Sequence, residues 1–249
     1  MISFPLISSL LVAVAIIIST CPMAFAEGSR PICEEGVYSK VASMQRGNGA
    51  AVMISEFPSP DGLKKIIVKE KPRSQPEVFV RVGEKEHLVE FSPWPCPEFQ
   101  WAPDSKAFFL TYSDGGAVGN YEVLVYYPSK QGLKVLNPSS FVKKDFLSHY
   151  PRCLEPETPN FGGVTWLDNS RRLLVAAEVL PHSNCDMMGT FSLYEIEVPS
   201  GKIVKKYGQL EAKKVFGNML GVELRNAEDR CFTEPGSCNI PQLHEAQKP

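Results

Sequence analysis

Trp101-Ala102-Pro103-Asp104-Ser105-Lys106-Ala107-Phe108-Phe109-Leu110 is the stretch that decides the fold. The aromatic ends one strand inside the core, Pro103 presets φ for a turn, Asp104 hydrogen-bonds the turn backbone, and the apolar run opens the next strand. The same order recurs upstream as Phe57-Pro58-Ser59-Pro60-Asp61-Gly62 before Lys65-Ile66-Ile67-Val68. Downstream it recurs as Trp166-Leu167-Asp168-Asn169-Ser170-Arg171 before Arg172 to Ala177.

Behind each turn the chain follows one plan: a strand, a loop, a second strand, a tight turn and a third strand. The second strands are Glu77 to Val82, Tyr121 to Tyr127 and Phe191 to Val198, and the third are His87 to Phe91, Leu133 to Leu136 and Lys202 to Tyr207. Gly83-Glu84, Gln131-Gly132 and Ser200-Gly201 supply the tight turns. Asp61 and Asp104 lie 43 residues apart, the period of one propeller blade, and the third opening is delayed by residues 137 to 163. An all-β, propeller-like array of three to four small antiparallel sheets is the expectation, with an irregular β-sandwich as the alternative built from the same strands.

The Trp101 to Leu110 segment resembles the TolB-type, WD40-like propeller repeat, with its aromatic, small residue, Pro-Asp-Gly/Ser, basic residue and apolar strand. Phe57 to Val68 and Trp166 to Val175 are similar to it, so the resemblance covers about residues 55–208. Residues 36–54 and 213–225 are the remaining material for strands of a fourth, composite sheet. The resemblance implies an interaction scaffold rather than a chemistry.

The first 26 residues hold no charged side chain, an apolar run from Leu10 to Ile18 too short to span a bilayer, and small residues at Ala24 and Ala26. They read as a signal peptide (1–26), ahead of a domain over 27–230 and a loosely ordered tail over 231–249 closed by a disulfide. The localisation expected is secreted or periplasmic. The alternative is a lipoprotein anchored through Cys21. No later segment has the length of a spanning helix. The net charge of −2 argues against nucleic acid and anionic membrane surfaces as partners.

Past the leader, Cys33, Cys96, Cys153, Cys185, Cys231 and Cys238 form an even set in a chain with an export signal, which points to three disulfides. Fifteen pairings are open in principle. Cys231 with Cys238 is locally favoured because Pro235-Gly236 turns the chain between them, and Cys33 with Cys96 and Cys153 with Cys185 are the remaining assignments. No Cys-x-x-Cys occurs, so no metal or redox centre is expected, and no cofactor.

Two loops stand out. Residues 113–120 contain three glycines beside Asp114, Gly116 and Asn120, and residues 178–189 contain His182, Cys185, Asp186 and Met187-Met188. Glycine lets backbone approach a ligand closely, which makes Asp114, Gly116, Asn120, His182 and Asp186 the candidate binding residues. No Gly-x-Ser-x-Gly elbow or His-Glu-x-x-His helix is present, and none of His87, His149, His182 and His244 sits beside a catalytic serine. Trp94, Phe99 and Trp101 read as a buried anchor. The functional expectation is an exported, non-catalytic module presenting loops to a protein or envelope partner. The alternatives are a small-ligand binder or hydrolase at the two loops, or a chain whose unpaired strand edges complete themselves by homo-oligomerisation.

Overall fold

The computed structural model describes residues 35–44, 53–71, 76–90, 94–113, 120–150, 158–181 and 187–229. A two-residue strand, β1 (Ser43–Met44), precedes three antiparallel meanders. The first sheet is β2 (Met53–Pro58), β3 (Lys64–Glu70), β4 (Glu77–Val82) and β5 (Lys85–Leu88). The middle sheet is β6 (Trp94–Trp101), β7 (Phe108–Ser113), β8 (Tyr121–Ser129) and β9 (Gly132–Leu136), with β1 added beside β6. After α1 (Ser139–His149) comes the last sheet, β10 (Asn160–Leu167), β11 (Arg172–Glu178), β12 (Phe191–Glu197) and β13 (Ile203–Gly208), followed by α2 (Gln209–Phe216) and α3 (Val222–Asn226). The protein is therefore all-β in class, with three small sheets in series rather than the two faces of a sandwich.

The recurrent turn is what joins them. Ser59 N–H donates to Lys64 O and Gly62 N–H to Ser59 O, at 2.9 and 2.8 Å. At the matching positions Ala102 N–H donates to Ala107 O and Ser105 N–H to Ala102 O, both at 2.8 Å. Gly62, Ser105 and Ser170 share a positive φ of 70°, 60° and 77°, which is why glycine or a small residue closes the motif. The first and second turns are each tied to the next sheet by the same two bonds. Trp101 Nε1 donates to Phe57 O and Trp166 Nε1 to Gln100 O, each at 3.0 Å. Asp61 N–H donates to Ser105 Oγ and Asp104 N–H to Ser170 Oγ, at 3.0 and 2.9 Å. Because the bonds fall on equivalent residues, successive sheets are related by one repeated step.

Three apolar layers follow. Ile66, Val80, Phe99 and Phe108 fill the space between first and middle sheets. Phe109, Val125, Phe161 and Val175 fill the next space with α1, whose Val142 and Phe146 face inward. Leu174, Phe191 and Tyr207 pack the far face of the last sheet against Tyr38, Phe216, Leu220 and Leu224.

The chain ends do not form a fourth sheet among the described residues. Ser39 and Leu220 make a single antiparallel bridge, while 209–216 and 222–226 are helical, with Ala212 and Phe216 one turn apart on the buried side of the first and Leu224 buried from the second. Two further corrections concern elements. The third strand of the first sheet starts at Lys85, directly after Gly83-Glu84, rather than at His87. Residues 139–149, part of the 137–163 stretch that delays the third turn and to which the sequence pattern assigns no element, form α1 with Val142, Phe146 and Tyr150 on its buried side.

Candidate functional site

The two unusual loops leave from neighbouring strand ends. Ser113 ends β7 and is paired with Tyr121, which opens β8. Glu178 ends β11 and is paired with Phe191, which opens β12. Tyr121 N–H donates to Asn160 Oδ1 at 3.0 Å, and Asn160 stands opposite Glu178 in the β10–β11 ladder. Loops 113–120 and 178–189 therefore rise from one end of the seam between middle and last sheets. The stem of the second loop continues the ladder, with Val179 N–H donating to Thr190 O and Gly189 N–H to Val179 O, both at 2.9 Å. Of the candidate binding residues, Asn120 is exposed beside Tyr121. Asp114, Gly116, His182 and Asp186 lie outside the described residues, as do Cys33, Cys153, Cys185, Cys231, Cys238 and the side chain of Cys96.

Beneath the loop roots lie two carboxyl groups with no cation against either among the described residues. Glu98, 1% exposed on β6, sits in a nest of consecutive backbone amides: Tyr38 N–H reaches Oε1 at 3.1 Å, Ser39 N–H reaches Oε2 at 3.0 Å, and Val37 N–H also donates to Oε1. Burial pushes its pKa up to about 7 against the opposing pull of those amides. Glu178, 0% exposed, accepts from Tyr38 Oη at 2.6 Å through Oε2, and its Oε1 meets no hydrogen-bond partner. Burial pushes it up to about 8, with Tyr38 and Asn160 pulling down and Glu223 pushing up. One residue, Tyr38, thus touches both carboxyls, by its amide and by its hydroxyl. Its ring lies edge-on to Tyr121 at 5.2 Å, and Tyr38 sits so close against Gly162 that any Cβ there would collide with it.

A second polar cluster joins α1 to the last sheet. Asp145 Oδ2 accepts from Tyr194 Oη at 2.8 Å and from Lys206 Nζ at 2.9 Å, and Lys206 Nζ lies 3.1 Å from His149 Nδ1. Burial raises Asp145, but the Lys206 ammonium and the Tyr194 hydroxyl outweigh it and hold the carboxyl below its usual range. The cluster pins the helix to β12 and β13. At the opposite, turn-bearing end of the molecule, Phe57, Phe99, Trp101, Pro58 and Gln100 line a pocket of about 260 Å³ between β2 and β6. Phe99 and Trp101 are buried there, as an anchor should be.

The chain matches no protein-family model and no curated protein. Among the described residues no helix is long and apolar enough to cross a membrane, and no three His, Cys, Asp or Glu side chains gather as a metal site. Sequence reasoning missed Glu98, Glu178 and Tyr38. The available signal was a lone carboxylate inside an apolar strand, as in Val175-Ala176-Ala177-Glu178-Val179-Leu180.

Proposed function

We propose that this chain is an exported, non-catalytic binding module that presents loops 113–120 and 178–189 to a protein or envelope partner. The observation carrying this is the convergence of the two loop roots on Tyr121, Asn160 and Glu178, which gives two glycine-rich or polar loops a common rigid base. Under the same proposal the three sheets are blades of the TolB-type, WD40-like kind, and the leader and disulfides suit an oxidising compartment. The ligand-binding or hydrolytic alternative uses the same loop roots. Against it, the carboxyl at the loop roots among the described residues, Glu178, is fully buried and engaged by Tyr38.

A photo-crosslinking residue placed at Asn120 and, separately, at Met188 is expected to capture the same partner in the native compartment. The same group at Lys85, on the turn of the first sheet, is expected to capture nothing comparable. Adducts from Lys85 alone, or unrelated adducts from the two loops, would remove the proposal.

A further inference from the structure

The segment 35–44 is a strap across the seam between middle and last sheets. It is bound to the other chain end by Lys40 N–H to Met219 O at 2.9 Å, Gly221 N–H to Tyr38 O at 2.8 Å and Val222 N–H to Gly36 O at 2.8 Å, and by the bidentate pair of Arg225 with Glu35 at 2.7 and 2.8 Å. Ser39 Oγ donates to Val164 O on β10 at 2.6 Å. The inner side of the strap rests on the two buried carboxyls already described. Burying one carboxylate without a cation is costly, and burying two against one tyrosine more so.

Among the described residues, the charged and titratable groups facing this point from each element are Glu98 on β6, Tyr121 on β8, Glu178 on β11, Glu223 on α3 and Tyr38 on the strap. All are acids. The strap's Lys40 and Arg225 of α3 act on Glu35 instead.

We propose that residues 35–44 form a pH-gated clasp, closed while Glu98 and Glu178 retain protons and released when both become carboxylates against the same tyrosine. The protonated acids need no counter-charge. Ionised, each is a buried carboxylate with no cation against it among the described residues, Glu178 also meets the Glu223 charge, and opening the strap brings water to both. Both groups sit above the ordinary glutamate value, Glu98 at about 7 and Glu178 at about 8, so the closed state binds protons more tightly than the open one. Its advantage is complete below the ordinary value and is lost as pH rises through the two raised ones.

Hydrogen exchange of the full chain at pH 6 and pH 9, corrected for the intrinsic pH dependence of amide exchange, tests this. Opening of peptide 35–44 is expected to rise at least about tenfold between the two pH values, with β7 and β11 remaining better protected than the strap at both, since each group adds up to tenfold per pH unit between its open and closed values. Glu178→Gln, which keeps an acceptor for Tyr38 and removes one ionisation, is expected to abolish most of that rise. Unchanged strap protection in the wild type would overturn the clasp. So would β7 and β11 being no better protected than the strap at pH 9, or a full rise in Glu178→Gln; if that variant does not fold, the wild-type comparison decides alone.

Discussion

The first and last sheets are built on the same plan and end in opposite ways. In the first sheet β4 reads Glu-Val-Phe-Val-Arg-Val, alternating strictly, and one face is buried against the middle sheet while the other meets solvent. That outer face carries Lys65 paired with Glu56 at 2.7 Å, Lys69 with Glu86 at 3.0 Å and Arg81 with the same Glu86, around Phe79 and the exposed Ile54 and Leu88. In the last sheet β11 and β12 are buried along nearly their whole length, because α1 and the middle sheet cover one face and Tyr38, α2 and α3 the other. One repeat therefore tolerates two kinds of ending. The bare end is kept soluble by a ladder of opposite charges across strands, and the covered end draws its stability from residues far away in the chain.

Several substitutions would break or sharpen that contrast. Gly162→Val puts side-chain atoms where the Tyr38 ring lies and should unseat the whole covering of the last sheet, at about 4 kcal/mol or more; chemical denaturation would show it. Next in size, Phe216→Ala, which empties a ring packed edge-on to Tyr207 at 4.9 Å, should cost about 3 kcal/mol, whereas Phe79→Ala at the bare end should cost about 1 kcal/mol. Equal losses would mean that both ends are packed alike.

Between pH 6 and pH 9, pH should act through the covered end, since the depressed Asp61 and Glu86 of the first sheet lose their stabilisation only in acid. Glu98 and Glu178, with raised values, contribute stability that is complete below the ordinary glutamate value and is lost as pH climbs through about 7 and about 8. The melting temperature should fall by roughly 5 °C or more from pH 6 to pH 9, and a flat profile would remove the assignment. Trp101→Phe and Trp166→Phe each delete one inter-sheet hydrogen bond of the repeated step and should cost a similar amount, about 1 kcal/mol beyond any change in packing. Smallest of all, Lys65→Ala should change stability by about 0.5 kcal/mol or less, because its partner Glu56 is solvated.

Much of this was legible in the chain itself. The aromatic-turn-strand order placed all three sheets and the ends of their inner strands, and β4 ran over the expected residues. α1 was overlooked because Val142, Phe146 and Tyr150 are diluted by lysines and serines, and α2 because Lys213-Lys214 hides the spacing of Ala212 and Phe216. The loops at 113–120 and 178–189 were visible as oddities, but their common base was not, since Tyr121 and Asn160 are joined by a bond between sheets.

By itself the sequence determined the turn chemistry and the strand order of the three repeated sheets, because these depend on backbone preferences and hydrogen bonds acting over a few residues. Only the tertiary structure decided that Tyr38 would meet a carboxyl 60 residues away through its amide and another 140 residues away through its hydroxyl. Burial is a property of what the rest of the chain places around a group. A glutamate in a strand carries no mark of whether water or a tyrosine will face it, and that difference sets its charge.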